Sequence, residues 1–71
     1  MDRAMQLRHL EEAERHIAQG ERHISEQEGR IGFMVRQGYD TGEARKLLDN
    51  FNASQTQHLQ HRDRILRELE Q

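Results

Sequence analysis

The polar and apolar positions of this chain repeat every seven residues. Residues 8–14 read RHLEEAE, 15–21 read RHIAQGE and 22–28 read RHISEQE, and a degraded fourth unit from Gly29 keeps Ile31 in phase. Leu10, Ile17, Ile24 and Ile31 therefore share one register. A period of seven stays on one side of a helix only when that helix supercoils around a neighbour, so the pattern predicts a long helix with a coiled-coil seam. Three residues further on lie Ala13, Gly20, Gln27 and Met34, so half of the seam is small or polar and lets a facing helix come close. Glu11 to Arg15 and Glu26 to Arg30 have the acid-first i to i+4 spacing that adds a few tenths of a kcal/mol to a helix.

The first helix is predicted to cover about residues 2–37 and to stop at Gly38, where glycine takes the left-handed conformation that closes a helix end. A turn at 38–40 follows. Asp40 and Glu43 have the spacing of a capping box, the Asp40 side chain accepting the Glu43 amide, and Tyr39 is placed to staple against Ala44 or Leu47. The second helix, about 41–70, carries Ala44, Leu47, Leu48, Phe51, Leu59, Ile65, Leu66 and Leu69 on a helical stripe. Between Phe51 and Ile65 the stripe is interrupted by Ser54, Gln55, His58, His61 and Arg62, which predicts a wet middle. With so short a connection the two helices pack antiparallel, as one helical-hairpin domain spanning 1–71.

Composition changes this picture in one respect. The chain has 71 residues, 32% of them hydrophobic and 34% charged, with no cysteine and no proline. A core this small rarely holds a monomer together without a disulfide, a metal or a partner subunit, and a disulfide is excluded here. The expected form is thus an all-α hairpin that self-associates into a four-helix bundle or coiled coil, a dimer being favoured. Its seam is expected to contain Leu10, Ala13, Ile17, Gly20, Ile24, Ile31, Leu48, Leu59, Ile65, Leu66 and Leu69. No apolar run approaches membrane-spanning length, and the charged N-terminal stretch lacks the apolar core of a secretory signal, so a cytoplasmic location is expected.

Five histidines are the main chemical feature. His9, His16 and His23 recur every seven residues, about 10.5 Å apart along the axis, too far to share one ion. His58 and His61 do have chelating spacing, and His16, His23 or Asp63 from the facing helix would supply a third ligand. This makes a metal site at His58, His61 and His16 the alternative to a chain with no metal and no cofactor. Imidazoles beside a seam also take up protons near pH 6.5, and a turn centred near residue 39 places His16 opposite Asp63.

Other chemistry is not expected. The triplet His61, Arg62, Asp63 matches a kinase catalytic loop, but Glu68 stands where that motif needs asparagine, and there is no glycine-rich nucleotide loop. No serine or cysteine nucleophile has an oriented base, so no catalytic residue is assigned. Arg8, Arg15 and Arg22 alternate with Glu14, Glu21 and Glu28, and the net charge is −2, which excludes the basic footprint of a nucleic-acid binder. Bulky side chains gather near the turn instead. Phe33, Met34, Tyr39 and Phe51 form a candidate docking tip for an unidentified protein partner.

The repeated Arg-His-Ile units, the turn from Gly38 to Thr41 followed by Ala44, Leu47 and Leu48, and the closing run from His58 to Leu66 resemble short uncharacterised bacterial helical-hairpin proteins. The resemblance covers nearly the whole chain. It implies the hairpin fold and assigns no activity or catalytic residue. The functional expectation is a small non-enzymatic module for protein–protein interaction or regulation.

Overall fold

The computed structural model describes residues 2–71. Two helices, α1 (Arg3–Gln37) and α2 (Gly42–Leu69), fold back on each other as an antiparallel hairpin of 54 × 14 × 13 Å. Asp2 caps α1, its Oδ1 accepting the amides of Ala4 at 3.0 Å and Met5 at 3.4 Å. The other end closes as the sequence predicts. Gly38 takes φ 75°, its amide donates to Val35 O and the Tyr39 amide donates to Met34 O, the paired bonds of a Schellman motif.

The start of α2 differs from the capping box. Asp40 Oδ1 accepts the Gly42 amide at 2.9 Å, an Asx turn, and Glu43 pairs with Lys46 instead. Thr41 is the cap residue and its side chain bonds no backbone amide. The reason is local competition: an aspartate one residue ahead of the cap reaches the amide two residues on more readily than the third. Tyr39 does not staple onto α2 either. Its ring meets Phe33 of α1 edge-on at 6.4 Å and stays 58% exposed.

Each helix turns a seam of alternating three- and four-residue steps toward the other. In α1 these are Gln6, Leu10, Ala13, Ile17, Gly20, Ile24, Gln27, Ile31 and Met34, all buried or half-buried. On the other side they are the cap residue Thr41 and, in α2, Ala44, Leu48, Phe51, Gln55, His58, Arg62, Ile65 and Leu69, again all buried or half-buried. The apolar core reduces to Ala13, Ile17, Ile31 and Ile65. Leu10, Gly20, Ile24, Leu48, Leu59 and Leu69 flank it half-buried, while Leu66 is 38% exposed. The residues expected in an oligomer seam thus face the chain's own partner helix, apart from Leu59 and Leu66, which lie just off it.

The middle of α2 is polar, with Ser54 and His61 exposed, His58 and Arg62 half-buried and Gln55 alone buried. Gln55 is buried and its Nε2 donates to Ile17 O at 2.9 Å. Gln27 does the same in the opposite direction, its Nε2 donating to Ala44 O at 2.9 Å. At the open end buried Gln6 bonds Glu68, and Arg3 donates to Leu69 O at 3.2 Å. A helix carbonyl has a second lone pair free after its own ladder bond, so Gln27 and Gln55 each find a partner without unwinding the facing helix. Each such bond exists in one register only, and a slip of either helix would leave a buried amide unpaired.

That register departs from a symmetrical turn. Ala44 already lies opposite Gln27, Phe51 opposite His23 and His58 opposite His16, so His16 does not meet Asp63. Asp63 accepts from its neighbour Arg62. Non-helical residues span up to about 3.3 Å each against 1.5 Å in a helix, so the short linker runs back beside the last turn of α1. Neither Glu11 with Arg15 nor Glu26 with Arg30 closes an ion pair among the described residues; Arg30 donates to Gln27 Oε1 instead.

Candidate functional site

The histidine period places His9, His16 and His23 one residue before Leu10, Ile17 and Ile24, on one flank of the α1 seam. The register then brings His58 and His61 of α2 to the same flank. A hollow of about 250 Å³ is lined by His16, Gly20, His23, Phe51, Gln55 and His58, with Gln19 and Ser54 at its rim. Toward the open end a second, of about 300 Å³, is lined by His9, Glu12, Ala13, His16 and His61. Toward the turn a third, of about 90 Å³, contains His23, Phe51, Leu47 and Arg30. Because His16 joins the first two and His23 and Phe51 join the first and third, the hollows form one groove along the hairpin edge. All five histidines line it.

Contacts within the groove are close. The rings of His16 and His58 have centroids 5.4 Å apart with planes inclined at 44°. His23 lies against Phe51 at 5.5 Å, so Phe51 contributes to the groove rather than to an exposed tip. His9 Nδ1 is 3.1 Å from Gln6 Oε1. Among the described residues no three His, Cys, Asp or Glu side chains converge on a point as they stand.

Gly20 gives the groove its depth. A Cβ there would collide with the Gln55 amide, its Cδ at 2.7 Å. Gln55 Oε1 fills that space and has no hydrogen-bond partner, although the Nε2 of the same amide is satisfied by Ile17 O. The missing side chain of the glycine leaves the space in which the glutamine amide lies against α1.

The opposite flank is apolar at the open end. Leu7 is 43% exposed and Leu66 38%, beside half-buried Leu10 and Leu59. Near the turn Phe33, Val35 and Tyr39 are each at least half exposed, while Met34 is half-buried in the seam. The apolar stripe of the sequence contains Leu66 and Leu59 without separating them from the seam; the step alternation through Gln55, His58 and Arg62 does so. Among the described residues no helix is long and apolar enough to cross a membrane. No family model matches the chain, and neither a curated protein sequence nor a solved structure matches it.

Proposed function

We propose that the chain is a non-enzymatic helical hairpin that pairs with a second copy of itself and serves as a protein–protein interaction module. One observation carries this reading: among the described residues the hairpin buries only Ala13, Ile17, Ile31 and Ile65 as apolar core, while Met5, Leu7, Phe33, Val35, Tyr39, Leu47 and Leu66 stay more than a third exposed. Large apolar side chains left on a thin two-helix layer favour a second layer. The leucine flank is the face assigned to it. Leu7 and Leu66 come from different helices and stand on the side away from the histidines, so a second hairpin laid there makes a four-helix arrangement without covering the groove.

The aromatic tip supports a second reading, in which a different protein docks on Phe33 and Tyr39. Solution mass separates the two. The Leu7→Ser, Leu66→Ser double variant should sediment as a single chain and show the reduced helicity of the dissociated parent. The Phe33→Ser, Tyr39→Ser variant should leave the mass of the assembly unchanged. An unaltered mass for the leucine variant would contradict the assignment of the face.

A further inference from the structure

We propose that His16 and His58 form an interhelical chelate for a first-row transition-metal ion such as Zn²⁺, with His61 as third ligand and water in the open position. The structure brings the first two together from helices that the sequence separates by 42 residues: their ring centroids are 5.4 Å apart. Two imidazoles bound at about 2.0 Å to one tetrahedral ion have ring centres roughly 5 Å apart, so the spacing of these two rings already suits a shared ion. The rings must turn to aim a nitrogen of each at that ion. His16 is exposed and His58 half-buried, both at the wall of a hollow with room for an ion and its water.

His61 stands one turn along α2 from His58, on the same face, and lines the adjoining hollow together with His16. Because His61 is exposed, swinging its ring toward His16 breaks no buried contact. Glu12 borders that hollow as well and offers a carboxylate to accept a ligand imidazole N–H, the outer contact that fixes a ring for coordination. His9 and His23 are excluded from the set by distance, being each two helical turns from His16, and His9 and His23 are already engaged with Gln6 and Phe51.

Such an ion would tie the two helices at their midpoints, where the seam is polar, and would supply the staple that a small chain without disulfides lacks. The inference stands whether or not the hairpin dimerises, because all three ligands come from one chain.

The test is titration of the purified full-length chain with zinc chloride, followed by calorimetry, thermal melting and light scattering. One ion per chain, a raised Tm and no zinc-dependent change in mass are expected. His16→Ala and His58→Ala should each weaken binding at least tenfold and remove the Tm gain, His61→Ala should weaken it less, and His9→Ala and His23→Ala should bind as the parent does. Circular dichroism of each variant without zinc establishes that it is folded. No saturable uptake by the parent, uptake that survives His16→Ala and His58→Ala together, or half an ion per chain with a doubled mass would each overturn the proposal.

Discussion

Gly20 and Gln55 show how one residue's absence of side chain sets the chemistry of another. Alanine at position 20 would gain about 1 kcal/mol of helix propensity. It would also expel the Gln55 amide from the seam, losing a buried hydrogen bond worth about 1 kcal/mol and leaving the Ile17 carbonyl with one fewer partner. The size of the substitution's effect therefore depends on Gln55. Gly20→Ala should leave the stability of the parent nearly unchanged, the two terms offsetting, and raise it by about 1 kcal/mol in a Gln55→Ala background, a coupling that urea denaturation of the four proteins would measure. Additive effects would show that the two residues do not share that space.

The helices themselves were legible to different depths. The seven-residue pattern gives α1 its seam, and Gly38 gives its end, because each depends on local rules that a few residues satisfy. Alanine at Gly38 should accordingly cost about 1 kcal/mol and lower the Tm by several degrees, since a side chain strains the left-handed conformation. The same substitution at Gly29, in mid-helix with nothing within 4 Å of the added carbon, should raise the Tm instead. A Tm that moves the same way for both would contradict the assignment of Gly38 as the helix stop. The seam of α2 is harder to read because Gln55, His58 and Arg62 occupy it, and counting apolar residues makes them look like a gap. Their three- and four-residue spacing is the signal that recovers them. The register was not legible at all: it follows from how far the few residues of the linker travel, and only with it do His58 and His61 come to the flank of His16. Asp40 likewise satisfies two local motifs in the sequence, and only the folded turn chooses the Asx bond.

Taken as a whole, the molecule is a rod two helices thick, and among the described residues no side chain is wholly shielded from solvent. Its polar seam contacts determine how the helices align more than how tightly they hold, since a hydrogen bond exchanged with water contributes little net stability. The apolar residues that would add stability stand outside, on the leucine flank and around the turn. A second copy laid on the leucine flank would bury Leu7 and Leu66 and leave the histidine groove open on each hairpin. The most direct measurement is sedimentation equilibrium combined with circular dichroism on the same samples over a thousandfold dilution. The account predicts a mass of two 8.5 kDa chains at the highest concentration, with mass and helicity falling together on dilution. A particle of one chain that remains fully helical throughout would contradict it.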